Sequence, residues 1–166
     1  MKLPQLSNGD WSKVAQRVAG QSVISSSLNT AINGGKKLNQ ISMRATMLYS
    51  DEQYKLFREE LDGASIGTVW SAMRADNFDR NTLSYEEKKN YFFDLIHHLM
   101  AEGRVRLGKH GQFLEGDIEE QVTHYKAVFP KTEEEWKTKN EDIWFYEEEC
   151  PGGLVWIHED GYQDWT

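Results

Sequence analysis

Cys150 is the only cysteine in the 166 residues, and it directly follows Glu147, Glu148 and Glu149. Neighbouring carboxylates disfavour a thiolate and raise the thiol pKa, so the residue reads as a buried or turn cysteine rather than a nucleophile. A single cysteine also makes no internal disulfide and no cysteine-rich zinc site. His97 and His98 are adjacent, and on a helix their side chains diverge by about 100 degrees, which denies one ion two ligands from a single face. His158, Glu159 and Asp160, with His124 upstream, are ligand types for zinc or manganese without a spacing that fixes their geometry; Glu159-Asp160-Gly161 reads as a solvated turn. Pairs such as Glu119 with Glu120, or the run Glu133 to Glu135, could serve acid–base catalysis. They stand at predicted helix starts, however, where the dipole alone accounts for them. Gly108-Lys109-His110-Gly111 is glycine-rich and basic but lacks the spacing of a phosphate loop, and a hairpin turn is its plain reading. No catalytic constellation, metal site or cofactor site emerges, and a non-enzymatic protein is expected.

Aromatic and acidic residues are densest from Asp142 to Trp165, a stretch holding three of the six tryptophans. Ile143 to Tyr146 and Leu154 to Ile157 are short β-branched and aromatic runs separated by Pro151-Gly152-Gly153, a pattern that predicts two paired strands and their turn. Such a pair would bury one face on the helices before it. The candidate interface is then Trp144, Tyr146, Glu147, Glu148, Glu149, Glu159, Asp160, Tyr162, Asp164 and Trp165. Two readings stay open: core tryptophans beside a solvated acidic face, or aromatic anchors ringed by carboxylates on which a basic protein docks. On the second, charge reversal at Glu147, Glu148 and Glu149 slows association and flattens its salt dependence.

Charge is unevenly spread. Residues 1–46 hold six basic residues and one acidic, net +5, while residues 47–166 hold thirteen basic and twenty-six acidic, net −13, giving −8 for the chain. An excess of carboxylates repels phosphate backbones and steers basic proteins inward. A winged-helix layout from Ile66 to Leu114, with Lys88, Lys89, Arg104, Arg106 and Lys109 as positive charge, competes with that balance; its recognition helix would begin Tyr85-Glu86-Glu87, and no nucleic-acid partner is expected. The opening MKLPQLSNGDW has no signal-peptide apolar core, and no run of roughly 18 apolar residues occurs, so no membrane partner and a cytoplasmic place of action are expected.

The elements that must position these residues announce themselves through their caps. Ser50 with Gln53, Ser84 with Glu87, Asp117 with Glu120 and Thr132 with Glu135 each form a capping-box pattern. The first opens a helix bearing Tyr54, Phe57 and Leu61; the second opens the longest helix, with Phe92, Leu95, Ile96 and Leu99, stopped by Gly103. The third carries Ile118, Val122, Tyr125 and Phe129, and the fourth presents Trp136. Ile66, Val69, Trp70 and Met73 share a face of a further short helix. Arg104 to Leu107 and Gln112 to Leu114 predict a hairpin. Residues 1–46, rich in Ser, Asn and Gly with a helix capped by Asp10, predict a poorly ordered, partly helical segment. Met43 and Met47 stand at the join, each able to begin the second part. The expected class is α+β: a small helical domain, 47–166, with a β-hairpin and a C-terminal aromatic strand pair.

Two stretches resemble known families. NGDWSKVAQRVAGQSVISSSLNTAINGGKKLNQIS, residues 8–42, is similar to the segment before the toxic tip of filamentous haemagglutinin and contact-dependent inhibition proteins, where a D-W-x-x-V start and a later A-I-N-G-G recur. Residues 47–166, with "DEQYKLF", "FLEGDIEEQV", "AVFPKTEEEW" and "CPGGLVWIHEDGYQDW", resemble the bacterial family designated domain of unknown function 596. In contact-dependent inhibition loci the toxin tip is followed by a small cytoplasmic immunity protein. The resemblance therefore implies an immunity-type protein that neutralises a basic toxin domain, attached to a haemagglutinin-like remnant, 1–46. The alternatives are a toxin tip or enzyme domain on a delivery remnant, and a general protein-interaction domain.

Overall fold

The computed structural model describes residues 47–166; the helix and linker expected in residues 1–46 lie outside them. Two compact units divide the described chain, 47–60 with 74–82, and 61–73 with 83–166.

In the first unit, α1 (Asp51–Glu60) starts at the expected box: Gln53 N donates to Ser50 Oγ at 3.1 Å and Ser50 N to Gln53 Oε1 at 3.1 Å. Its Phe57 lies 5.3 Å from Tyr49 and 5.2 Å from Phe78, ring centre to ring centre, with Phe78 supplied by a 3-10 turn, Ala75–Phe78.

The second unit holds the sheet. Its α2 (Ile66–Ser71) is capped by Ser65 and buries Ile66, Val69 and Trp70. The long α3 (Tyr85–Ala101) has both bonds of its Ser84–Glu87 box. It ends where Gly103, at φ 72, lets Arg104 N donate to Leu99 O and Gly103 N to Met100 O, the paired bonds that close a helix through a left-handed residue. Val105–Lys109 (β1) turns through His110 and Gly111, both at positive φ, into Gln112–Phe113 (β2). Two central residues with positive φ are what a tight hairpin requires. Then come α4 (Ile118–Val128), with both Asp117–Glu120 box bonds, and α5 (Glu133–Thr138). The last box is half formed: Thr132 accepts from Glu135 N, but the Glu135 carboxylate reaches back to Lys131 N at 2.9 Å.

The four strands form one antiparallel sheet in the order β2-β1-β3-β4, with β3 spanning Gly153–Ile157 and β4 Gln163–Trp165. Val105 pairs with Trp156 and Leu107 with Leu154, and all four are buried. That face packs on α3, which also packs on α4.

One expectation is corrected. Ile143 to Tyr146 is not a strand but part of a 3-10 turn, Glu141–Tyr146. The C-terminal strand pair exists, yet the strands that flank β3 are β1 and β4. Composition does not distinguish the two conformations here, and burial does. Trp144 and its neighbour Phe145 both pack inward, whereas a half-exposed strand would alternate. Trp144 is fully buried among Tyr125, Phe129, Trp136 and Phe145 at 5.0 to 6.3 Å. Nor is Pro151-Gly152-Gly153 a turn between paired strands. A Cβ on Gly152 would stand 2.6 Å from the Gly108 carbonyl oxygen, so the glycine permits a close backbone approach that seats β3 against β1.

Among the described residues no helix is long and apolar enough to cross a membrane.

Candidate functional site

Two left-handed residues in succession, Asn140 at φ 59 and Glu141 at φ 49, lead into the 3-10 turn. Asparagine tolerates this conformation; glutamate does so at a cost of about 1–2 kcal/mol, which the anchoring of Trp144 must offset. In a 3-10 turn residues i and i+3 eclipse, so Ile143 and Tyr146 share one face. It points outward: Ile143 is 55% exposed and Tyr146 84%. Glu141, Asp142 and Glu147 around them are exposed and, among the described residues, enter no ion pair. The result is a ledge with an apolar pair at its crest and three uncompensated carboxylates at its rim.

Glu148 and Glu149 have other work. Lys109 Nζ donates to Glu148 O at 2.7 Å and Cys150 O at 3.0 Å and lies 3.2 Å from the Glu148 carboxylate, with His110 beside it. Lys109 foremost, then His110, holds the Glu148 carboxyl below the usual glutamate range. The Glu149 carboxylate takes both of its short bonds, 2.5 and 2.6 Å, from Lys139, and that contact lowers its pKa too. These side chains tie the exit of the ledge to the β1–β2 hairpin and to the end of α5. The sign of the pH effect follows. A depressed carboxyl pKa contributes stability at neutral pH that is lost as the pH falls through the ordinary glutamate range and on through the lowered midpoints. A carbon-detected NMR titration should place both carboxyl midpoints below that of a glutamate in a short peptide; equal midpoints would show that the lysine contacts are absent in solution.

The other predicted residues are dispersed. Trp144 belongs to the core. Glu159, Asp160 and Tyr162 form the loop between β3 and β4, where Asp160 Oδ1 accepts from Tyr162 N at 2.9 Å and Gly161 adopts φ 83. The length of β3, about 14 Å at 3.4 Å per residue, separates that loop from Glu147–Glu149. Trp165 lies on the outer sheet face with Val155, stacked on Phe113 at 5.1 Å and over Gly108, where a Cβ would meet its ring at 2.6 Å. Arg106 caps that stack, 3.6 Å from the centre of the Phe113 ring. Asp164 faces the opposite way, in register with Trp156. Residues 146–149 thus remain together and the rest do not. Ile143, Glu141 and Asp142 were missed, and the only signal for them is the i, i+3 spacing of Ile143 and Tyr146, which has meaning once the segment is a 3-10 turn.

Among the described residues the cysteine and the histidines flagged in the sequence lie apart. Cys150 is buried, its sulfur 3.0 Å from the Tyr125 hydroxyl, which donates to Gly152 O at 2.9 Å. Burial pushes the thiol pKa up, and burial together with Cys150 pushes the Tyr125 hydroxyl up. The single thiol should therefore react with a maleimide dye far more slowly in the folded protein than in denaturant; equal rates would contradict its placement. His97 meets Glu119 and His98 meets Asp94, each histidine with its own carboxylate. Among the described residues no three histidine, cysteine, aspartate or glutamate side chains gather as a metal site.

Fold and ledge together define a small α+β domain with a four-stranded antiparallel sheet under helices and an acidic, aromatic-tipped surface. Its two ends match different families. Residues 100–166 match the family described as "Protein of unknown function, DUF596", and residues 1–50 of the chain match the family described as "Possible hemagglutinin (DUF637)". A solved structure of an uncharacterised protein conserved in bacteria, from Neisseria meningitidis, is similar at 25% identity and a TM-score of 0.58, covering 78% of this chain and 97% of its own. None of the curated proteins compared with the chain matches it.

Proposed function

We propose that this protein is an immunity-type binding protein, acting in the cytoplasm, that neutralises a basic toxin domain of a haemagglutinin-linked or contact-dependent inhibition system without catalysing a reaction. The observation that carries the reading is the ledge: exposed Ile143 and Tyr146 rimmed by Glu141, Asp142 and Glu147, none of which is neutralised internally. Apolar anchors supply contact energy, and a ring of one charge sign supplies encounter rate and selectivity. The strained entry at Glu141 also suits a recognition element, since strain persists where the surrounding structure overdetermines a local conformation. The haemagglutinin-like segment in the same chain supports the link to a toxin-delivery system. A binding role fits the net −13 of residues 47–166 better than a nucleic-acid partner does, because phosphate would be repelled. The test is growth of a sensitive host expressing the toxin tip encoded beside this gene, with and without the co-expressed protein. Rescue is the expected result; arrested growth in cells where the protein is soluble and abundant would overturn the reading.

A further inference from the structure

We infer that the cleft beside the start of α4 receives one cationic side chain, lysine or arginine, from the protein partner; this rests on the binding reading above and names a contact within it. The cleft, about 350 Å³, is walled by Leu114 and Pro151 and lined by Glu115, Glu120, Gln121 and His124.

Its polar inventory is one-sided. Glu115 is exposed and, among the described residues, enters no ion pair. Glu120 accepts from Asp117 N through Oε2 at 3.1 Å, which leaves Oε1 uncommitted. The Gln121 side-chain amide donates to Gly116 O at 2.7 Å and, over a longer 3.4 Å, to Leu114 O; both donors are spent and its oxygen remains an acceptor. Among the described residues no lysine or arginine lines the cleft.

Carboxylates and amide oxygens above apolar walls match a guanidinium or ammonium on a methylene stem: charged donors pair with the acceptors while the stem covers Leu114 and Pro151. An anionic ligand would be repelled. A neutral apolar one would leave the acceptors unpaired, which costs free energy once water is excluded. The positive end of the α4 dipole, about half an elementary charge, is outweighed by Glu115, Asp117 and Glu120. Continuity argues for the same partner, because Pro151 lies on the run of chain that leaves the ledge at Glu147.

The probe is N-acetyl-arginine amide, titrated into the full-length protein while amide chemical shifts are followed, with N-acetyl-norleucine amide as the uncharged control. Expected are saturable shifts confined to residues 114–121, His124 and the neighbours of Pro151, in the millimolar range, and weakened roughly fivefold in the Glu115→Gln/Glu120→Gln variant. Glutamine at 120 can still make the capping bond, so the helix start is retained. Shifts that spread over every acidic surface, that are equal with norleucine amide, or that are unchanged in the variant would overturn the inference. The probe needs no toxin. A silent cleft with intact growth rescue would refute this contact and leave the binding reading standing; a saturable cleft without rescue would do the reverse.

Discussion

Replacing Trp144 by alanine is expected to lower the stability of the protein by about 3–5 kcal/mol, the range for emptying a buried aromatic site. No other substitution at the ledge should cost as much. The indole is wholly inaccessible and packs among four other aromatic rings, contributed by α4 and the residue that follows it, by α5 and by the 3-10 turn itself. It is also the buried anchor that keeps Ile143 and Tyr146 turned outward, so the damage is twofold: a cavity in the core and a ledge released from it. Its Nε1–H makes no close hydrogen bond, and the Glu149 carboxylate on its flank receives from it only a contribution secondary to that of Lys139. Phenylalanine should be tolerated much better than alanine, since it keeps most of the ring packing. Denaturant unfolding of the two variants checks this. A loss under 1 kcal/mol for alanine would mean that Trp144 is not the anchor described.

The second large effect concerns binding alone. Tyr146→Ala is expected to weaken association with the proposed basic toxin domain by roughly 30-fold or more, the consequence of losing an aromatic hot spot worth about 2 kcal/mol. The melting temperature should stay within about 2 °C, because the ring is 84% exposed. Glu147→Lys should act differently, slowing association and flattening its salt dependence while the dissociation rate changes little. The structure narrows the charge-reversal experiment that the sequence suggests. Glu148 and Glu149 hold Lys109, His110 and Lys139, so reversing all three glutamates would loosen the ledge as well as recharge it. Surface plasmon resonance at several salt concentrations separates the two effects.

What could be read in advance follows from distance along the chain. Helix starts were legible at Ser50, Ser84 and Asp117 because a capping box is a contact over three residues, and its chemistry is carried by the residue types themselves. The hairpin at His110-Gly111 was legible for the same reason. The partners of β3 were not. Val105 and Trp156 are joined by register across a long connection, and nothing local specifies it. Ile143 to Tyr146 was misread because β-branched and aromatic residues serve a strand and a core-facing 3-10 turn equally; only burial of Trp144 decides. At the candidate site, Tyr146 and Glu147 were visible as an aromatic beside a carboxylate. The tether of Lys109 to residues 39 and 41 positions away was not.

Host protection against the proposed toxin domain, measured for the Tyr146→Ala/Glu147→Lys variant and for the wild-type protein at equal soluble level, is the decisive experiment. The ledge account predicts that the wild type restores growth and the variant does not, although both fold with the same melting temperature. Equal protection by the two would contradict it and move the binding surface elsewhere on the protein.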